Sequence, residues 1–179
     1  MTQALMMQPA TARLGLRRVA AWLVDWAVML GWIGVLTVLG LLLDTPSWAL
    51  SQPAWDVLIA VATVVPITLW LAWWESRGAT PGKRVLRLGV RSLDGHPPGL
   101  GRALLRNTLK VAVPWQLGHL VAARFITAPA DAAVPASTLV MSVAVYALMA
   151  VYLAGVFLGS GRPLYDVLAA TEVVRADEG

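Results

Sequence analysis

The chain has 179 residues, of which 58% are hydrophobic and 13% are charged, and its formal net charge is +4. An ordinary soluble domain has about 25% charged residues, so this composition indicates an integral membrane protein. The absence of cysteine excludes disulfides, thiolate metal sites and cysteine catalysis. The first apolar run is too long for the core of a cleaved signal peptide, so we expect it to remain in the protein.

The first apolar segment predicts a transmembrane helix over about 17–43. From Val19 to Leu43 it contains a single charge, Asp25, and is long enough to cross roughly 30 Å of hydrocarbon. An aspartate at the centre of such a helix costs about 2.5–3.5 kcal/mol on insertion scales. Asp25 is therefore either a structural carboxylate paired with a basic group or a site for a proton or cation. The sequence leaves both readings open.

If Asp25 is paired, its partner should approach from the amino-terminal side, because helical side chains point that way. Arg18 lies two turns away, about 10.5 Å along the axis, which is too far for a direct bond within the helix. We therefore predict that the partner is Arg102, Arg106, Lys110 or a residue of the carboxyl-terminal tail.

Further helices are predicted over about 55–75, 109–126 and 137–158. The segment 109–126 is the least apolar of them and could be a span, a re-entrant segment or a surface helix, and we interpret it as a span. A loop over 76–108 and a tail over 159–179 complete a single domain that covers 1–179. The predicted fold is an all-α membrane protein, a bundle of three to four transmembrane helices.

The basic residues predict the orientation of these helices. Arginines precede the first helix, none lies between the first two helices, and eight cations lie between Arg77 and Lys110. Positive residues stay on the cytoplasmic side, so we expect the amino terminus and the loop to be cytoplasmic. This explains the net charge without nucleic-acid binding, and the same cations would attract anionic lipid headgroups.

The loop and the tail each contain a candidate strand. Residues 84–93 alternate apolar and polar side chains up to a turn at Asp94-Gly95, which favours a strand over a helix. An amphipathic helix should follow, since Arg102, Arg106 and Lys110 recur at four-residue intervals. In the tail, Pro163 is a helix-start signal and 171–175 has strand character, so we predict that 171–175 pairs with 86–90.

Four smaller features have plain readings beside functional ones. The stretch GATPGK is one residue short of a phosphate-binding loop, and we interpret it as a turn leading into a strand. Pro66 frees the carbonyl of Ala62, which kinks the helix or helps to bind a small cation. His119 is a structural residue or a proton relay. Gly155 and Gly159 form a GxxxG pattern typical of close helix packing.

Three stretches in order resemble the RDD family of small bacterial membrane proteins. They are the arginine and aspartate of the first helix, the loop run TPGKRVLRLGVRSLDG, and the tail run GRPLYDVLAATEVV. Ala79 and Tyr165 depart from the pattern, where glutamine and histidine are more usual. The resemblance implies a bacterial inner membrane protein whose functional candidates are Arg17 or Arg18, Asp25, Gly82, Lys83 and Asp166.

The resemblance implies little about biochemical function. The sequence has no Ser-His-Asp set and no cluster of metal ligands, so we expect no enzyme activity, no metal and no cofactor. We predict a transport-associated protein that uses Asp25 in ion- or proton-coupled exchange, as a homo-oligomer because three or four helices rarely enclose a pathway. The alternative is a scaffold that does not transport, whose basic loop and tail dock a partner or anionic lipid.

Overall fold

The computed structural model describes residues 9–43, 51–129, 131 and 133–176. Residues 44–50 of the first interhelical connection and 177–179 of the tail lie outside this set. The described chain is a helical bundle with one two-stranded sheet, made from the loop and the tail. The predicted fold class is therefore confirmed.

Three helical segments are long and apolar enough to cross a membrane, namely Ala12–Leu42, Gln52–Glu75 and Ala136–Phe157. The first belongs to helix α1 (Pro9–Leu42), which begins eight residues before the predicted start at 17. The second consists of α2 (Gln52–Ile59), a π-helical segment (Ala60–Val64) and α3 (Val65–Glu75). The third is α7 (Ala136–Phe157), and large apolar side chains are exposed along it, as the contact with lipid requires.

The π segment of the second span lies directly before Pro66, which has no N–H and whose ring crowds the carbonyl of Ala62. Widening the helix by one residue per turn relieves this crowding. The Trp32 indole Nε1 donates to the Ala62 oxygen at 3.0 Å, so the freed carbonyl already has a donor. A carbonyl oxygen has two lone pairs, so this hydrogen bond does not exclude a cation there, and the cation-site reading stays a prediction.

The loop folds onto α1 as a short helix followed by a strand. Helix α4 (Pro81–Val85) begins after Thr80, whose side-chain oxygen accepts from the Lys83 N–H as an N-cap. Strand β1 (Leu88–Ser92) is shorter than the predicted 84–93, because α4 occupies the first part of that stretch. The predicted turn at GATPGK is present at Gly78, but it leads into the short helix α4 before the strand begins.

The tail contributes helix α8 (Leu164–Leu168) and strand β2 (Thr171–Arg175), which pairs antiparallel with β1. Leu88 lies opposite Arg175 and Ser92 lies opposite Thr171. This confirms that the loop and the tail pair, but over 88–92 of the loop, two residues after the predicted 86–90. Buried side chains of both strands pack against Ala21 of α1. This contact with α1 gives the two strands the apolar support that an isolated pair lacks in water.

The strand pairing places the loop and the tail on one face of the bundle, called here the loop face. Because α3 leads into the loop and α7 leads into the tail, the chain must return to the opposite face between β1 and α7. Helix α5 (Gly99–Asn107), a second π segment (Thr108–Ala112) and α6 (Val113–Thr127) form 29 continuous helical residues there. They extend about 43 Å at 1.5 Å per residue, which is long enough for the predicted fourth crossing by α6, although α6 is not among the three segments apolar enough to be candidate spans.

Candidate functional site

Six ionisable side chains that are buried or nearly so meet at the loop face, and we call them the charge cluster. Five helices contribute to it: α1, α3, α4, α5 with its π extension, and α8. Since burying an unpaired charge is costly, each member has at least one oppositely charged partner. The cluster consists of Arg18, Glu75, Lys83, Arg106, Lys110 and Asp166.

Asp166 of α8 lies at the tail end of the cluster and holds two arginines. Its Oδ2 is 2.6 Å from Arg18 NH2, and its Oδ1 is 2.6 Å from Arg106 Nε. The Thr171 hydroxyl donates to the same Oδ1 at 3.3 Å, and Arg18 also donates to the carbonyl of Gly161. The tail is therefore fixed to α1 and α5 by charge-assisted hydrogen bonds.

Glu75, the last residue of α3, is fully buried and holds three cations. Its carboxylate pairs with Lys83 and lies 2.5 Å from Arg106 NH1 and 3.4 Å from Lys110 Nζ. The Asn107 side-chain amide donates to it at 2.7 Å. Helix α5 consequently turns its polar face toward α3, while leucines occupy its exposed face.

Asp25 lies beside the cluster but contacts the start of α4 instead of a cation. The Thr80 hydroxyl donates to its Oδ2 at 2.6 Å, and the Gly82 N–H donates to its Oδ1 at 2.8 Å. The N–H groups of a helix's first turn lack partners within the helix, so a carboxylate is favoured at this position. Asp25 therefore attaches the loop to α1.

The predicted partners of Asp25 are wrong. Among the described residues, no ion pair includes Asp25. Arg106 pairs with Glu75 and Asp166, and Lys110 pairs with Glu75. The exposed Arg102 lies 3.4 Å from the exposed Asp94. Asp25 instead accepts from two neutral donors at the start of α4, the Thr80 hydroxyl and the Gly82 N–H, whereas the prediction considered only cations as partners.

The cluster shifts the pKa values of groups outside the spanning helices. Burial alone would raise the pKa of the Asp166 carboxyl, but the charges of Arg106 and Arg18 outweigh burial and hold this pKa below its ordinary value. Burial lowers the pKa of the Lys83 ammonium, and the charge of Glu75 opposes this only in part. Asp166 is thus held ionised, whereas Lys83 gives up its proton more readily than a solvated lysine.

A cavity of about 180 Å³ adjoins the cluster and lies between α1 and α7. One end is polar, where side chains of the cluster and Asp25 reach it. The remaining walls are apolar or aromatic and come from α1, α7 and the tail. The lining consists of Arg18, Val19, Trp22, Asp25, Lys83, Arg106, Lys110, Met149, Tyr152, Leu153, Val156, Tyr165 and Val173.

The structure separates the candidates of the first helix. Arg18 is buried in the cluster, whereas Arg17 is exposed, so Arg18 is the arginine that acts with Asp166. Glycine is the only residue type that fits at position 82, because a β-carbon there would lie 2.1 Å from the Ala21 carbonyl oxygen. Lys83 joins the cluster through Glu75.

Two other candidates lie away from the cluster or have another partner than expected. His119 is on α6, with its Nε2 3.7 Å from the Asp56 carboxylate, and the structure places neither residue at the charge cluster. Gly155 packs against Pro163 of the tail, where a β-carbon would lie 2.6 Å from the Pro163 Cα. Because Gly155 has no side chain, Pro163 of the same chain can pack directly against α7.

Sequence reasoning missed Glu75, Thr80 and Asn107. Glu75 had a visible signal, since it is the one charge at the loop end of a run of apolar residues and is followed by a basic loop. Thr80 had a weaker one, because a threonine before Pro-Gly is a good N-cap. Among the described residues, no group of three or more histidine and acidic side chains is placed to hold a metal ion.

Comparison with family models assigns the chain to a family. The family model described as "RDD family" matches residues 14–170, which include every member of the charge cluster and Asp25. Comparisons with curated proteins and with solved structures gave no match. Because the family match covers most of the chain, this protein belongs to the RDD family.

Proposed function

We propose that the protein is a small transport-associated membrane protein in which the charge cluster and its cavity bind an ion during ion- or proton-coupled exchange. The observation that carries the proposal is the cavity itself, which ends at four buried cations and Asp25 between two spanning helices. Ionisable groups buried at membrane depth are costly, and they commonly mark ion or proton pathways.

The charges of the site favour an anion as the ligand. Four cations lie against the carboxylates of Glu75, Asp166 and Asp25, which leaves a formal excess of one positive charge. Lys83, whose pKa is lowered mainly by burial, is a suitable group to release or take up a proton when the ligand changes.

In this proposal Asp25 positions the site and does not itself carry the ion. Both of its oxygens already accept hydrogen bonds from α4, and this contact holds Lys83 next to Glu75. The hydrogen bonding thus supports the structural reading of Asp25, in place of the ion-handling role expected from the sequence.

The test is a flux assay in proteoliposomes that contain a pH-sensitive dye. We expect an imposed gradient of chloride or phosphate to produce a pH change. Lys110→Gln should reduce the rate of this change about tenfold, because the variant loses one charge-assisted contact to the anion. Arg84→Gln is the matched control, because Arg84 is exposed and outside the cavity. Flux that is equal in the two variants, both with wild-type thermal stability, would contradict the proposal.

A scaffold that does not transport is the second candidate, and the exposed cations favour it. Several arginines near the loop face project outside the charge cluster, namely Arg13, Arg17, Arg77, Arg84, Arg87 and Arg102. Such a surface suits anionic lipid headgroups or an acidic partner. This candidate predicts salt-sensitive binding to anionic vesicles by the detergent-solubilised protein and no flux in the dye assay.

We also propose the setting in which the site works. The positive-inside rule supports a cytoplasmic loop face and amino terminus in a bacterial inner membrane. A homo-oligomer is the expected assembly, because four helices of one chain enclose little space. We expect no enzymatic activity and no cofactor.

A further inference from the structure

We propose that the cavity binds an anionic membrane lipid, with the phosphate at Lys110 and Lys83 and an acyl chain between α1 and α7. The inference rests on the proposed function, since it names a ligand class for the same cavity.

The cavity opens sideways, toward the surface that faces lipid. Met149 and Leu153 both line it, and they are 44% and 55% exposed on the spanning helix α7. The opposite wall is Val19 and Trp22 of α1. Toward the loop face, the aromatic ring of Tyr165 and other tail side chains form the lining. A ligand that diffuses within the bilayer therefore reaches the cavity through the gap between α1 and α7.

The polar end of the cavity has more hydrogen-bond donors than acceptors. Lys83 and Lys110 both pair with Glu75, which also pairs with Arg106 and accepts a hydrogen bond from Asn107. Each ammonium has three donors and no acceptor, and the single contact of Lys110 within the cluster is 3.4 Å long. A phosphate group brings several acceptor oxygens and a negative charge, which the excess cations of the site need.

The remaining lining offers an amphiphile an apolar contact that an inorganic anion at the charged end does not use. Beyond the charged end, the walls are Val19, Trp22, Met149, Leu153 and Val156, none of which offers a charge to a small hydrated ion. An acyl chain that binds here covers the apolar walls of the cavity, and the headgroup of the same lipid then lies at the cations. A free phosphate would satisfy only the charged end.

The experiment measures lipid bound to the purified full-length protein by native mass spectrometry in detergent. Phosphatidylglycerol is titrated against phosphatidylcholine, and inorganic phosphate is added as a separate competitor. We expect one phosphatidylglycerol per chain, a preference over phosphatidylcholine of at least about tenfold, and a similar loss in Lys110→Gln. Leu153→Trp, which narrows the opening and leaves every charge in place, should also reduce binding, whereas Arg124→Gln, which removes an exposed cation of α6 outside the cavity, should not.

Equal binding of the two lipids, or an equal loss in Lys110→Gln and Arg124→Gln, would overturn the inference. Phosphate that displaces the lipid at low concentration and drives flux alone would show that the ligand is a free anion. Selective lipid binding without flux would leave this inference standing and remove the transport function. Flux of inorganic anions without lipid selectivity would support the transport function and remove this inference.

Discussion

Gly82 of α4 lies so close to Ala21 of α1 that a β-carbon would stand 2.1 Å from the Ala21 carbonyl oxygen and 2.9 Å from Asp25 Oδ1. This approach lets the Gly82 N–H reach the Asp25 carboxylate. Gly82 and Asp25 therefore contact each other directly, and this contact fixes the loop to the first span.

We expect Gly82→Ala to destabilise the protein by about 1–3 kcal/mol or more, because backbone on both sides must move to admit the methyl group. Gly101→Ala is the matched control, since nothing lies within 4 Å of its added β-carbon and the residue is inside α5. That control should gain about 0.5–1 kcal/mol of helix stability. Thermal unfolding in detergent measures both, and an equal loss of stability would refute the close-packing argument.

Asp25→Asn should destabilise the protein only moderately. Its amide oxygen can still accept from Gly82, and its amino group can donate to the Thr80 hydroxyl. The expected cost is about 1.5–3 kcal/mol, the value of hydrogen bonds to a charged group. Asp25→Ala, which removes both acceptors, should cost more. Destabilisation by Asn as large as that by Ala would instead indicate that the charge of Asp25 balances a buried cation.

Arg18→Gln should lower the unfolding temperature, whereas Arg17→Gln should change stability by no more than about 0.5 kcal/mol. The first variant loses a buried contact to Asp166 and one to Gly161, while the second lies on the exposed face of the same helix. Thermal unfolding of the two variants side by side decides which arginine belongs to the cluster. Equal losses would contradict the assignment of Arg18.

The same pair of variants should differ in acid stability. The pKa of Asp166 is held below its ordinary value of 3.8 in the folded protein. This lowered pKa contributes stability that is complete above about pH 4 and is lost as the pH falls through the folded-state pKa. Arg18→Gln removes one of the charges that lower this pKa, so the folded-state pKa moves closer to the unfolded value. Below about pH 4 its stability should therefore fall less with decreasing pH than that of Arg17→Gln. Unfolding temperatures between pH 7 and pH 3 test this expectation.

The four-crossing topology predicts opposite accessibility for two introduced cysteines in this cysteine-free chain. His96→Cys lies in the turn after β1 on the loop face, and Asp131→Cys lies in the connection between α6 and α7. A membrane-impermeant thiol reagent, applied to sealed right-side-out vesicles, should label the cysteine at position 131 alone. Labelling of both positions from one side would mean that α6 does not cross.

The sequence predicted the spans and the strand pair because both depend on local patterns of apolar residues. It could not predict the pairing within the cluster, because several cations compete for few carboxylates and only packing decides among them. Glu75 shows this most clearly. In the sequence it looks like a charged residue at the edge of a membrane span. Only the packing of the polar face of α5 against α3 brings three cations to its carboxylate. The partners of Asp25 were misassigned because a backbone N–H such as that of Gly82 leaves no signal in the sequence, and the Thr80 hydroxyl leaves only a weak one.

The wide separation of the cluster's members along the chain has a consequence for biosynthesis. Arg18 is made 148 residues before Asp166, and Arg106 is made 60 residues before it. When the early helices enter the membrane, both arginines lack this counter-charge, and the insertion machinery or surrounding water and lipid phosphates must accommodate them. The native bundle can therefore close only after α8 has emerged, which makes docking of the tail a late step in assembly.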